Sequence, residues 1–280
     1  MKEYKKAFRY AAFTVNREKY NSGLYLVLFL AGALAVYVYR GYGAWLWEAG
    51  ESVNLWEPFL WFQSGRSCQI AFLFVSVYLG YQTINGTYNE CYTIVRMSRS
   101  SWAASRMLHL IWMVLVCNAV LLMSTWLGCA GRISIRNEWS SSSMTAAQFG
   151  MQAVGAVPLM EADIGVMEQS PWLVGLWAFG LSSLAGVFTG FLLMVFTAAR
   201  QFAWGMALFG MLWYVGIFIN SEPMFAPLRR ISPYDLVRAT ETSLGYGSLP
   251  VLYSALFLIF LCMMLGMLLV RVCGRKDFGK

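Results

Sequence analysis

Few side chains in this sequence could carry catalysis. His109 is the single histidine, so sites built from several histidines, as in metalloproteases and haem proteins, lack their ligands. Ser182 and Ser183 lie in an apolar stretch, but no Gly-x-Ser-x-Gly arrangement surrounds either serine. A GxxxxGK[S/T] phosphate-binding loop is also missing, since the one Gly-Lys step is Gly279-Lys280. The sequence therefore predicts no enzyme, no directly bound metal or cofactor, and no ATP hydrolysis by this chain alone.

A second group of polar residues lies between two apolar segments, at 85–106. Thr87 and Glu90 have the spacing of a capping box, in which a hydroxyl and a carboxylate accept bonds from free N–H groups at a helix start. Tyr92 and its neighbours can continue such a helix until the serine-rich step Ser98–Ser101 interrupts it. The spacing predicts a short helix lying on one face of a membrane between two spans.

The elements that must position these residues are apolar helices. Hydrophobic residues make up 59% of the 280 residues and charged residues 12%, about half the charged fraction of a soluble domain. A block of about 20 apolar residues matches the thickness of a bilayer core, and the blocks do not alternate as barrel strands do. We expect an all-α integral membrane protein with one transmembrane domain over 1–280 and six spans at 23–39, 67–84, 108–130, 171–196, 202–219 and 249–270.

The distribution of cations predicts the orientation. With six spans, one side of the membrane holds 1–22, 85–107, 197–201 and the tail from Arg271, and this side carries 14 of the 21 Lys and Arg residues. By the positive-inside rule that side is cytoplasmic, together with both termini. Anionic lipid accounts for the basic excess without nucleic acid. The expected location is the cell membrane.

Residues 2–20 place Tyr4, Phe8, Ala11, Ala12 and Val15 on one helical face and most cations elsewhere. This pattern is typical of a basic amphipathic helix that lies in the membrane interface. The alternative is a solvated basic leader.

The segments on the other side of the membrane have different characters. The first, 40–66, is rich in Trp and Phe, which predicts an aromatic belt at the interface, with ligand stacking as the alternative. The second, 131–170, is polar and rich in small residues, and we expect it to be mobile. The third, 220–248, contains three prolines and enough apolar residues to predict short helices that dip partly into the membrane. Cys68 and Cys129 fall near neighbouring span ends, so one bridge is conceivable.

The layout resembles the permease, the transmembrane subunit, of an ABC transporter in the type-two exporter superfamily. The residues that carry the resemblance are Glu90 to Arg106 (ECYTIVRMSRSSWAASR) and Ile231 to Leu236 (ISPYDL). The shared features are a basic interfacial helix, six spans, a short helix in the first cytoplasmic loop, a tight second cytoplasmic loop and a proline-containing segment before the last span.

The resemblance implies partners as well as a fold. In that family the first cytoplasmic helix couples to a separate nucleotide-binding ATPase, which holds ATP and Mg, and two permease chains pair as a homo- or heterodimer. Carried over, 88–97 becomes the coupling helix and the stretch around Arg200 a second contact, which gives the candidate residues Thr87, Glu90, Tyr92, Arg96, Arg99 and Arg200. The alternative is that Glu90, Arg96 and Arg99 are solvated loop charges.

The leading interpretation is therefore the permease of a bacterial exporter that moves an amphipathic peptide, an antibiotic or a lipid-like molecule. An amphipathic cargo is favoured because the six predicted spans contain no Asp, Glu, Lys or Arg to anchor a small ion. The alternatives are a membrane-embedded enzyme and a peptide-binding sensor or immunity protein without transport.

Overall fold

The computed structural model describes residues 7–13, 22–64, 66–85, 98–149, 164–221, 223–237 and 251–275, and these residues are mostly helical. In chain order they form α1 (7–13), α2 (Ser22–Ala49), β1 (Val53–Asn54), α3 (Glu57–Ser64), α4 (Arg66–Asn85), α5 (Arg99–Gly128), β2 (Ile133–Ser134), α6 (Ser141–Phe149), α7 (Ile164–Met167), α8 (Pro171–Ala198), α9 (Phe202–Ser221), a 3-10 helix (Pro223–Ile231), α10 (Pro233–Val237) and α11 (Val251–Arg275).

Four helical segments in the described part of the chain are long and apolar enough to cross a bilayer. They are Arg99–Gly128, Pro171–Ala198, Phe202–Ile219 and Val251–Gly274, and each overlaps one of the last four predicted spans. Helix α2 carries a shorter apolar stretch, Leu28–Tyr37, inside the first predicted span. These helices are compatible with a multi-pass membrane protein.

Helix α8 is the central element, because it packs against α4, α5, α9 and α11. Its buried residues Ala178, Ser182, Gly186 and Gly190 recur every four positions and so lie along one face. Small residues at this spacing let two helix backbones approach closely. A Cβ atom on Gly80 of α4 would lie 2.7 Å from the carbonyl oxygen of Gly190. Helices α4 and α8 therefore meet backbone against backbone.

Helix α1 shows two faces. Ala7 and Ala11 are buried, whereas the Phe8 side chain is 67% exposed and Ala12 is also exposed. The exposed face can therefore meet lipid, as the amphipathic pattern predicts, although Ala11 belongs to the buried face instead. The insertion of this helix into the membrane interface stays a prediction.

The first outer segment folds into the protein core, so the predicted aromatic belt is wrong for four of its residues. These four side chains are buried: Trp56, Phe59, Trp61 and Phe62. The Trp56 ring packs edge-on against Trp172, with ring centres 6.1 Å apart, because α3 lies across the start of α8. Hydrophobic burial among the helices therefore outweighs the interfacial preference of these rings.

Trp47 differs from these four, because its side chain is 58% exposed. The guanidinium of Arg132 lies 4.4 Å from the centre of its ring, a cation–π contact. Trp47 thus has both an exposed ring and a polar partner, as an interfacial residue would.

Part of the second outer segment is ordered by its contacts with the first, which corrects the expectation of mobility for that part. Val53 of β1 pairs with Ile133 of β2 in a short parallel ladder. The serine run 140–143 then opens helix α6. The remainder of the expected mobile region, 150–163, lies outside the described residues.

Two smaller predictions have clear outcomes. Cys129 is buried with a free thiol, so the conceivable bridge to Cys68 is not formed. The presence of short helices in the proline-rich segment is confirmed by the 3-10 helix and α10, where Leu236 is fully buried, and their insertion into the membrane stays a prediction.

Candidate functional site

The structure describes two of the six candidate coupling residues. Arg99 is the first residue of α5, and Arg200 lies in the turn between α8 and α9. Thr87, Glu90, Tyr92 and Arg96 lie outside the described residues, as does the whole predicted coupling helix 88–97.

Helix α5 begins directly after that stretch, at the serine-rich step. Ser98 has an extended backbone, and its hydroxyl accepts a bond from the Ser101 N–H at 3.3 Å, which is the geometry of an N-cap. The Arg99 Nη1 atom donates to the carbonyl oxygen of Gly274 at 2.7 Å. The step that was expected to interrupt a helix thus starts a new one, and it ties the beginning of α5 to the end of α11.

Arg106 joins α5 to the N-terminal helix two turns further along. Its guanidinium lies 5.3 Å from the centre of the Tyr10 ring and 5.7 Å from the Trp102 ring. Its Nη2 atom also donates to the Tyr10 hydroxyl at 3.1 Å. A planar guanidinium suits this site because it can face two rings while donating hydrogen bonds at its edge. The N-terminal helix is therefore fixed to α5 by a buried cation.

Arg200 adopts a left-handed backbone conformation, with φ of 59°. The Gln201 N–H donates to the Phe196 carbonyl at 2.8 Å, and the Arg200 N–H donates to the Thr197 carbonyl at 3.0 Å. These bonds close the end of α8 in a Schellman turn, where glycine is the usual residue. An arginine in this conformation costs about 1 kcal/mol or more. The turn thus presents a charged and strained residue at the tip of a tight loop.

A second polar group lies between α5 and α8. The Asn118 Nδ2 atom, which carries two hydrogens, lies 2.8 Å from the hydroxyls of both Ser182 and Ser183 and 3.1 Å from the Phe179 carbonyl oxygen. All three polar side chains are buried. Buried amide–hydroxyl bonds are a common means of holding two membrane helices together. This cluster therefore explains the serine pair as a packing feature, with no nucleophile needed.

The third polar group is a buried carboxylate that joins the two outer segments. The Glu57 Oε1 atom accepts from the Asn54 N–H at 3.0 Å and from the Ser140 N–H at 2.9 Å. Its Oε2 atom accepts from the hydroxyls of Ser140 and Ser143, both at 2.5 Å. Burial raises the pKa of the Glu57 carboxyl, and these hydrogen bonds oppose the rise in part. We call the two joined segments, 50–64 and 132–149, the cap.

The polar side chains described above thus join separate helices. No three His, Cys, Asp or Glu side chains in these ranges gather as metal ligands. Neither a protein-family model nor a curated protein matches the chain. The arrangement can transmit movement between helix ends, because single hydrogen bonds and one stacked cation link α1, α5 and α11.

Sequence reasoning missed Arg106 and Glu57. Arg106 contacts a tyrosine 96 positions away, and no local pattern marks such a pair. A local signal did exist for Glu57, because Asn54-x-x-Glu57 has capping-box spacing before an apolar run. That signal predicts a helix start, although the second helix that shares the carboxylate lies 83 positions further on.

Proposed function

We propose that this chain is the transmembrane subunit of an ATP-driven exporter in a bacterial cell membrane. A separate cytosolic subunit would bind ATP with Mg and hydrolyse it, and a second permease chain would complete the transport path. The cargo would be an amphipathic peptide, an antibiotic or a lipid-like molecule.

The observation that carries the proposal is the set of contacts at the start of α5. Ser98 caps α5 directly after 86–97, Arg99 bonds to the end of α11, and Arg106 holds Tyr10 of the N-terminal helix. A partner that moved 88–97 would therefore move α5, and these contacts would pass the movement to α11 and α1. An exporter driven from one membrane face needs such a connection between cytoplasmic contact and membrane helices.

The topology belongs to the same proposal. Helices α2 and α4 would add two spans to the four long apolar segments, which gives six spans with both termini on one side. This places Arg99, Arg106, Arg200 and Arg271 in the cytoplasm and leaves the cap on the opposite face. The excess of cations on the first side supports this orientation.

Purification through an affinity tag on this chain, in a mild detergent, tests the proposal. We expect a second polypeptide with a GxxxxGK[S/T] motif to co-purify in a fixed ratio, because a coupling helix docks by burying surface on its ATPase. A preparation that contains this chain with no nucleotide-binding polypeptide would favour the alternatives, a membrane-embedded enzyme or a peptide-binding sensor.

A further inference from the structure

Within the cap, a single carboxylate accepts hydrogen bonds at the starts of two helices. In a capping box, the carboxylate three residues into a helix accepts from the N–H of the residue that caps it. Glu57, the first residue of α3, makes a comparable bond at the start of its own helix. It accepts from the Asn54 N–H while the Asn54 Oδ1 atom accepts from the Trp56 N–H at 2.9 Å. The same oxygen accepts from Ser140, which caps α6. The starts of α3 and α6 therefore depend on a single side chain.

This side chain also connects the cap to the protein core. Glu57 is fully buried, and the residues that follow it, Phe59 and Leu60, are fully buried as well. Helix α3 packs against α4, α5 and α8. Release of Glu57 would therefore loosen the start of α6 from the helical core while α3 stayed in place, and the bonds of Ser141 and Ser142 to Glu51 would be left to hold α6.

The groups that face Glu57 leave its charge unneutralised within the described residues. Asn54 and the serines of α6 are neutral donors, and 58–64 of α3 carry no charge. Cys129, buried at the end of α5, interacts electrostatically with the carboxylate. Glu51 adds a second carboxylate, to which Ser141 and Ser142 donate. The Arg136 backbone carbonyl accepts from the Asn54 side-chain amide, whereas the Arg136 side chain is exposed.

We propose that Glu57 is a proton-controlled latch: the protonated carboxyl holds the start of α6 against α3 and the helical core, and ionisation of the carboxyl releases it. The inference rests on the buried geometry and needs no ATPase partner. A carboxylate in the closed cap has lost its water, whereas an open cap would hydrate it, so the closed cap disfavours the charged form.

The direction of the pH dependence follows from this difference. The pKa of Glu57 is raised in the closed cap above that of a hydrated carboxyl. Closure is therefore strongest below the pKa of the hydrated carboxyl, and it weakens as the pH rises through the pKa of Glu57 in the closed cap. Between those two values the ratio of closed to open cap changes up to tenfold for each pH unit.

Amide hydrogen exchange of the purified chain between pH 5 and pH 8 tests the latch. After correction for the intrinsic pH dependence of exchange, we expect the protection of 139–149 to fall by up to tenfold per pH unit over part of this range. The first turn of α8 is an internal control, because Ser170 caps it through the Leu173 N–H at 3.3 Å without a carboxylate. Its protection should stay constant.

Variants separate the latch from a fixed structural bond. Glu57→Gln keeps the shape of the side chain and can still bond to the serines, so the protection of 139–149 should no longer depend on pH in this variant. Glu48 is exposed, so Glu48→Gln should behave as wild type. Should Glu57→Gln fail to fold, Ser143→Ala serves instead. It removes one donor to the ionised form and so raises the pKa of Glu57 in the closed cap further. The loss of protection should therefore begin at the same pH as in wild type, extend to higher pH and become larger. Wild-type protection that is independent of pH, or an equal loss at every pH in Ser143→Ala, would overturn the proposal.

Discussion

Gly80→Val should destabilise the protein by about 3 kcal/mol or more, because the new side chain would enter the backbone of the neighbouring helix. A Cβ atom at Gly80 lies 2.7 Å from the Gly190 carbonyl oxygen and 3.0 Å from the Gly190 Cα. Rotation of a side chain cannot relieve a contact with backbone. Helices α4 and α8 must therefore separate, and their separation would open the seam on which the central helix depends.

Gly180→Val is the matched control for this prediction. A Cβ atom there meets nothing within 4 Å, although the residue lies on the same central helix. The control thus carries the change in helix propensity from glycine to valine, which is under about 1 kcal/mol and slightly favourable, without the clash. The midpoint of thermal unfolding is measured for both variants in detergent, with size-exclusion chromatography as the readout. Equal midpoints for Gly80→Val and Gly180→Val would show that the close approach of α4 and α8 is wrong.

Glu57→Ala should open the cap and cost about 3 kcal/mol. The change leaves the N–H groups of Asn54 and Ser140 without their acceptor, together with two serine hydroxyls. Each buried donor without an acceptor costs about 1 to 3 kcal/mol, and water entering the space would offset part of the total. Helix α6 would lose the bond that holds its start against the core.

Trypsin cleavage after Arg136 measures this opening, because the residue is exposed and lies just before α6. We expect Glu57→Ala to be cleaved at least tenfold faster than wild type at pH 6, since cleavage follows the population of the open form. Glu51→Ala is the control within the same cap, because Glu51 is half-buried and its carboxylate accepts from the hydroxyl groups of Ser141 and Ser142. Its cleavage should rise less than that of Glu57→Ala, because Ser141 is exposed and water can replace the carboxylate as the acceptor of its hydroxyl.

The sequence was sufficient for the last four apolar helices because bilayer thickness imposes a length that hydropathy detects. It was insufficient for the aromatic residues of the first outer segment. Trp47 and Trp61 lie in the same outer segment, yet Trp47 is exposed and Trp61 is buried. Hydropathy measures transfer out of water and does not distinguish burial against lipid from burial against protein.

Contacts between residues far apart in the chain account for the rest of what sequence reasoning missed. The spacing of Gly186 and Gly190 is a recognisable signal for close helix approach, but it does not say that α4 is the partner. Arg106 was counted only as a cytoplasmic cation, although it is buried between Tyr10 and Trp102. Such pairs depend on where the chain returns in space, which local spacing does not specify.

Among the candidate coupling residues, Arg200 offers a clean variant. Because its backbone is already left-handed, Arg200→Gly should keep the turn and relieve its strain while removing the guanidinium. Arg99→Glu is less suitable, since Arg99 bonds to Gly274 and its loss would disturb the helix ends. Arg96→Glu reverses a charge within the predicted coupling helix. Truncating one member of a buried interfacial pair costs about 2 to 5 kcal/mol, which is roughly 30-fold or more in affinity.

ATP hydrolysis by the complex purified through a tag on this chain tests the central claim most directly. We expect hydrolysis in the wild-type preparation, a loss of the associated ATPase and its activity in Arg96→Glu, and a weaker loss in Arg200→Gly. Arg136→Glu, an exposed charge in the cap, should leave the activity unchanged. A wild-type preparation without ATP hydrolysis above that of an untagged control, or full activity in Arg96→Glu combined with Arg200→Gly, would contradict the assignment of this chain as an ATP-driven permease coupled through these residues.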